Sequence, residues 1–349
     1  MSTERVRSVL VVIPTLNEDA HIEGVIDTLS RGLDPAHDVR IVVADGGSTD
    51  GTVDRVVRMA ASRPWLTLLP NPRRIQSAAV NLAARTLGAD VDVLVRCDAH
   101  ANYPGGFVRQ LVATLERVGA DAVVVPMDSQ GSNCLQRAVA WVSDTPIGSG
   151  GSAHRGGRHS GFIDHGHHAA FRMESFRRAG GYDETFTHNE DAELDCRQRA
   201  MGSRIYLDAD IRIGYSPRGT LRGLWRQYFG YGRGRARTVR KHPGSMRLRQ
   251  LAVPSFIGAN AVAIMAAIWL PWLLLLPLAY GLGLLCASVG IALKKRSLCG
   301  LWSGAAAFTM HAAWACGFLW SMVALRQPPW SAQQAEPLLF DERRMRSEP

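Results

Sequence analysis

The stretch VVADGGSTDGT, residues 42–52, decides how the first half of the chain is read. An apolar run ends on Asp45, crosses two glycines and meets Asp50 just ahead of a helix-like segment. Gly46 and Gly47 suit a tight turn that needs positive φ, and Asp50 suits the cap of the following helix. Asp45 does not reduce to turn chemistry, because a buried strand seldom finishes on a charge unless the carboxylate meets water or a partner. The stretch therefore reads as strand, glycine turn and helix, with a carboxylate left at the strand end for a ligand.

Working outward, the same rhythm recurs. Short β-branched runs at 9–13, 39–45, 66–70, 91–98 and 121–127 alternate with helix-like segments over 18–30, 52–61, 76–87 and 105–118. Apolar runs without strict alternation, separated by helices, are what an α/β fold with a parallel sheet covered on both faces requires. In such sheets ligands bind beyond the carboxyl ends of the strands. Asn17 and Glu18 after the first run, Asp45 after the second, and Asp98 and His100 after the fourth are thereby expected on one edge. Carboxylates crowded there repel one another, so the rim predicts a divalent cation or a hydroxyl-rich ligand between them.

The chain of 349 residues carries a formal charge of +9. Its six cysteines form no CxxC pair, which argues against a disulfide scaffold or a zinc site and suits a reducing compartment. The apolar run Val9 to Ile13 is too short for a signal sequence and ends on Pro14, so the N-terminal half is expected to stay where it is made. The C-terminal part differs. Residues 252–293 hold no charged side chain, long enough for two membrane spans, and 297–325 supply another apolar segment interrupted only by His311.

Just before them, residues 217–250 hold ten Lys or Arg and no acid, with aromatics interleaved. That composition would serve nucleic acid. Its position next to apolar segments instead marks a juxtamembrane segment facing anionic lipid on the cytoplasmic side, so no nucleic-acid partner is expected. Basic residues counted this way favour three spans with the tail outside. Laying 252–270 along the interface would return the tail inside but put Lys294 to Arg296 out. The expected layout is a cytoplasmic domain over 1–250, a membrane domain over 251–326 and a polar tail over 327–349.

IPTLNE (13–18), VADGGSTDGT (43–52), CDAH (97–100) and HNEDAELDCR (188–197) resemble, in order and spacing, the signature set of family 2 inverting glycosyltransferases of the GT-A fold. The likeness is to membrane-attached enzymes of bacterial exopolysaccharide assembly, of the succinoglycan type. It implies a GT-A, Rossmann-like nucleotide-sugar-binding domain followed by C-terminal transmembrane helices at the cytoplasmic side of the inner membrane. It also implies that Pro14, Glu18 and Asp45 cradle the nucleotide and that Asp98 joins them there.

The family's metal-binding DxD element falls on Asp98 and His100. Either His100 ligates Mn²⁺ or Mg²⁺ through nitrogen or Asp98 alone carries the ion. Asp191 takes the place of the general base, beside Glu190. Gln227, with Arg233 or Arg235, takes the place of an element near the acceptor and the diphosphate. Asp164 and His165, in the glycine- and histidine-rich stretch 148–168, are assigned to the acceptor. Asp195 and Arg199 are expected to pair across one turn of an exposed helix face. The implied partners are a nucleotide-sugar donor, UDP-linked, a lipid-linked or polysaccharide acceptor, and membrane lipids. A non-catalytic membrane scaffold and a nucleotidyltransferase are the competing readings. A scaffold has no use for both Asp98 and Asp191, and a nucleotidyltransferase leaves Asp191 without a task.

Overall fold

The five apolar runs fold as strands: β1 (Ser8–Thr15), β2 (Asp38–Asp45), β3 (Leu66–Pro70), β4 (Val93–Arg96) and β5 (Ala122–Val124). The structure, a computed structural model, describes residues 8–33, 37–150 and 159–341. Part of the glycine- and histidine-rich stretch, 151–158, lies outside the described residues. Three more strands, β6 (Gly161–Ile163), β7 (His168–Arg172) and β8 (Ile205–Leu207), complete an eight-stranded sheet of order β3-β2-β1-β4-β7-β5-β8-β6. Along β1 the side chains of Val9, Val11 and Ile13 enter one core and those of Leu10 and Val12 the other, and all five are fully buried. Burial on both faces is why no polar alternation shows in the sequence.

The sheet is not wholly parallel, which corrects the expectation. β1 to β4 are parallel, but β7 runs antiparallel between β4 and β5, with Ala170 opposite both Val95 and Val123. A parallel neighbour needs a crossover helix, and the stretch leading into β7 is a short turn from β6. The consequence is functional: β7 begins at the edge where β4 ends.

Two compact units emerge, and they cut the chain differently from a break at residue 250. One comprises 1–127, 156–214 and 331–349, the other 128–155 and 215–330. Residues 331–341 of the tail are part of the sheet unit. Leu338 is buried in its core, the Leu338 amide donates to the Arg177 carbonyl at 2.9 Å, and the Asp341 amide donates to the Arg85 carbonyl at 3.0 Å.

The second unit is helical: Cys134–Ser143, Leu221–Lys241, Leu248–Ala266, Leu275–Lys295 and Ser303–Ala324. Two stretches, Pro271–Lys295 and Leu298–Ala324, are long and apolar enough to cross a membrane. Leu221–Lys241 packs closely on Ser303–Ala324. Gly232 faces the Trp314 carbonyl and Gly317 the Phe229 carbonyl, where any side chain would collide with backbone. A disulfide joins Cys134 to Cys299, although the cysteine pattern argued against a disulfide scaffold and for a reducing compartment. Its members lie 165 residues apart, so no local spacing could announce it.

Candidate active site

The carboxyl ends of β1, β2 and β4 gather the predicted residues. Register places Thr15 opposite Asp45, Pro14 opposite Ala44 and Val12 opposite Arg96. Asp45 is buried and organises its own turn. One carboxylate oxygen accepts the Gly47 and Ser48 amides at 2.8 and 2.9 Å, and the other accepts the Ser48 hydroxyl at 2.5 Å. Gly47 needs its missing side chain, since its φ is +81°. The cap position of the helix Thr52–Ala60 is Gly51, not Asp50, which stands one residue before it and accepts the Thr52 amide at 3.0 Å.

Asn17 ties the first loop to this turn. Its side-chain oxygen accepts the Thr49 amide at 2.8 Å, and its own amide donates to the Ser48 hydroxyl at 2.8 Å. Next to it, Glu18 lies 2.9 Å from His100 Nδ1. The first and fourth loops are thus linked through two of the predicted residues.

At the end of β4 the decisive side chain is Arg96, which sequence reasoning missed. Its guanidinium is buried, 4 % exposed, and donates to Asp191 Oδ1 at 2.7 Å; it lies 3.5 Å from Asp98 and 3.6 Å from Glu190. Burial works against its charge, and the carboxylates around it outweigh that and hold it protonated. Tyr182, also missed, donates its hydroxyl to Asp191 Oδ1 at 2.8 Å, and burial followed by the Asp191 charge keeps the phenol protonated.

His167, the residue just before β7, closes the group, with Nε2 3.7 Å from Asp98 and Nδ1 3.6 Å from Asp191. The antiparallel run of β7 puts it there. Asp98 also accepts the Gln76 amide at 2.5 Å. Burial raises the Asp98 pKa, but Arg96, His167 and His100 together overcome it and leave the carboxyl below its usual range. Glu190 goes the other way: burial and then Asp191 push it up, and Arg96 only partly opposes them.

Asp191 and Glu190 arrive at the start of the helix Glu190–Ala200, after a loop held by long-range bonds. Asn81 donates to the Tyr182 carbonyl at 2.8 Å and accepts the Tyr182 amide at 2.8 Å, while Arg85 grips Glu184 at 2.8 Å. The helix is largely buried, not an exposed charged face. Asp195 lies 2.6 Å from His165, and Arg199 lies 3.2 Å from Asp164, which replaces the expected pairing of Asp195 with Arg199. Among the described histidines of that stretch it is His167, not His165, that lies beside Asp98 and Asp191.

The remaining predicted residues belong to the helical unit. Gln227 donates to the hydroxyls of Tyr215 and Tyr231 at 2.7 and 3.0 Å. Arg235 is buried, and its guanidinium holds Gln250 at 2.8 Å and the Ser245 carbonyl, so it is committed to structure. Arg233 is exposed.

A carboxylate and imidazole nitrogens are donors that Mn²⁺ accepts. Among the described residues no three acidic, histidine or cysteine side chains gather to hold an ion unaided. Ions of this kind are commonly completed by substrate phosphates on one or two protein ligands, so Asp98 with a histidine fits a partial set.

Comparison with known proteins supplies the family and the fold. The family model described as "Glycosyl transferase family 2" matches residues 10–180. The succinoglycan biosynthesis protein ExoA of Rhizobium meliloti (strain 1021) is 43 % identical over 330 residues, 94 % of this chain and 99 % of that protein. A Methanococcus voltae dolichyl N-acetyl-alpha-D-glucosaminyl phosphate 3-beta-D-2,3-diacetamido-2,3-dideoxy-beta-D-glucuronosyltransferase is 22 % identical over 66 % of this chain and 74 % of its own. Among solved structures, a mannosyltransferase from Pyrobaculum calidifontis in complex with GDP-Man and Mn²⁺ superposes with a TM-score of 0.63 at 25 % identity, covering 93 % of this chain and 89 % of that one. The fold is GT-A, the protein is a glycosyltransferase related to exopolysaccharide biosynthesis, and the chain belongs to glycosyl transferase family 2.

Proposed function

We propose that the sheet unit moves a sugar from a nucleotide-activated donor, UDP-linked, to a hydroxyl of a lipid-linked or growing polysaccharide acceptor, with inversion. The reaction is placed at the cytoplasmic face of the inner membrane, where the basic and apolar segments attach the chain to lipid. The observation that supports this reading is the meeting of Asp98 and Asp191 around Arg96 and His167.

A sugar hydroxyl is a poor nucleophile at neutral pH, so a carboxylate must take its proton as the bond to the anomeric carbon forms. Asp191 is assigned that task. Arg96 and Tyr182 fix its Oδ1, which orients the carboxylate, and its Oδ2 is turned toward His167. One base opposite one leaving group gives inversion in a single displacement. Pro14, Glu18 and Asp45 are assigned to the nucleotide, Asp45 by shaping the turn of main-chain amides at Gly47 and Ser48. A divalent ion held by Asp98 with His100 or His167 would neutralise charge growing on the departing nucleoside diphosphate.

The test is transfer from a panel of UDP- and GDP-sugars by the full chain in membranes, comparing wild type with Asp191→Asn. The expected result is a loss of roughly 10²- to 10⁴-fold in turnover with nucleotide binding retained. Undiminished transfer by the variant would remove Asp191 from the reaction.

A further inference from the structure

The apolar helices pose a question of parity. Counting basic residues favours three spans, which would leave residues 331–341 across the membrane from the sheet. The structure instead builds those residues into the sheet unit. Leu338 is 5 % exposed in the same core as Phe176 and Tyr182, Arg177 donates to the Leu338 carbonyl at 3.1 Å, and the Phe340 ring lies 3.6 Å beneath the Arg177 guanidinium. A bilayer cannot lie between groups in contact. The chain between 215 and 330 must therefore cross the membrane an even number of times or not at all.

The helix that does not cross can be identified. Ser303–Ala324 runs against Leu221–Lys241 with backbone contact at two glycines, and Arg240 donates to the Met322 carbonyl near its end. Arg237 donates to Gln327 at 2.8 Å just beyond it. Midway along, His311 Nε2 lies 2.8 Å from the Ile147 carbonyl. Sending Ser303–Ala324 alone through hydrocarbon would drag this arginine-rich helix with it, and charges at the bilayer centre are costly. Half of its most apolar stretch is buried in the protein, against 6 % for Pro271–Lys295.

Leu248–Ala266 and Leu275–Lys295 are far more exposed, although Ser303–Ala324 also touches the second of them, Tyr280 lying 2.9 Å from His311 Nδ1 and Ser288 accepting the Gly304 amide at 2.7 Å. They meet at a turn, 267–274, that contains no polar side chain, with Ile268, Trp269 and Trp272 exposed by 81, 77 and 63 %. The turn's backbone is satisfied internally, the Trp269 and Leu270 amides both donating to the Ala266 carbonyl at 3.0 Å, as an environment without water demands. Charge sits only at the open end, at Arg247 and Arg249 and at Lys294, Lys295 and Arg296, which suits anionic headgroups. That end is pinned: Arg235 donates to Gln250 at one limb, and the Cys134–Cys299 disulfide lies just past the other.

We infer that the chain meets its membrane through one re-entering hairpin, Leu248 to Lys295, whose partner is the lipid bilayer. Ser303–Ala324 does not cross, and the sheet unit, the basic end of the hairpin and the C-terminal tail share one face. The inference rests on the membrane attachment proposed above and adds its geometry.

The full chain, with an epitope after Pro349, is placed in sealed vesicles and treated from each side with a membrane-impermeant amine reagent and with protease. Mass spectrometry reads the N-terminal amine, Lys294 and Lys295. A diazirine-bearing lipid marks what touches acyl chains. The expected result is one common face for both termini and the lysines, with photolabel at least ten-fold richer in 262–285 than in 303–324. Termini on opposite faces would overturn the even count. Termini together with the lysines opposite would keep the even count but show that Ser303–Ala324 crosses, and would overturn the hairpin. Release of the protein by alkaline carbonate would overturn both the hairpin and the attachment itself, while sugar transfer by the released protein would leave the catalytic assignment standing.

Discussion

Replacing Arg96 with Met should be among the most damaging single changes in the sheet unit. The guanidinium is the counter-charge for Asp98, Glu190 and Asp191, and its side chain is 4 % exposed, so methionine keeps much of the volume and removes all of the charge. Breaking a buried ion pair by deleting one partner costs about 3–5 kcal/mol, because the stranded charge stays buried. In a unit of this size that lowers the melting temperature by roughly 6–20 °C. The pH dependence supplies the sign. Without Arg96 the carboxyls are pushed above their unfolded values, so the folded state binds more protons, and stability falls as pH rises through about 4.5. The deficit of Arg96→Met should therefore be small near pH 4.5 and grow toward pH 8. Thermal unfolding of the detergent-solubilised chain, followed by labelling of the buried Cys97 thiol, reads the sheet unit specifically. Adding Glu190→Gln should restore part of the loss, since it removes the acid already driven upward. A melting temperature within about 2 °C of wild type across that pH range would refute the account of Arg96 as the common counter-charge.

In the wild-type background, Glu190→Gln should gain stability relative to the parent as pH rises above the ordinary glutamate value, since a carboxyl with a raised folded pKa destabilises once ionised; melting curves at pH 4.5 and 8 check the sign. His167→Ala should lower sugar transfer at least about ten-fold while His165→Ala leaves the rate within about three-fold, because the first ring faces both reacting-site carboxylates and the second faces Asp195; equal effects in initial-rate assays would count against that division. Cys134→Ser should destabilise the helical unit by up to about 5 kcal/mol for a bridge of this span, read as a lower melting temperature in chain purified under oxidising conditions, where non-reducing peptide mapping should find the 134–299 link in wild type. Gly317→Val should cost about 1–3 kcal/mol or more by pushing Ser303–Ala324 off the Phe229 backbone, seen as protease sensitivity of Leu221–Lys241.

The parts of the fold legible in the sequence were those governed by local repetition. β1, β4 and β5 announced themselves because burial on both faces makes them largely apolar, β2 and β3 because each carries a short apolar run, and the turn after β2 because glycine readily takes the φ of Gly47. β7 was not legible. It is five residues long, and its direction depends on a turn and not on a crossover helix, so nothing in HAAFR states which way it runs. That one direction decides which histidine of a histidine-rich stretch reaches Asp98.

Arg96 shows the deeper limit. In VLVRCD a lone arginine after an apolar run looks like a strand end reaching water, as Asp98 does two residues later. Its burial is forced by partners 95 residues away, brought in by a loop that Asn81 and Arg85 anchor from a third element. The carboxylates could be found from sequence because their chemistry requires them in a motif. The cation that lets three of them share a site could not, because charge balance is a property of the folded neighbourhood. A search for acidic clusters in related chains should therefore ask which buried arginine lies among them. Here Arg96, the last residue of β4, ties the helix that starts with Glu190 and Asp191, the base proposed above, to the loop that carries Asp98, so the same residue holds the fold together and sets the distance between the two carboxylates.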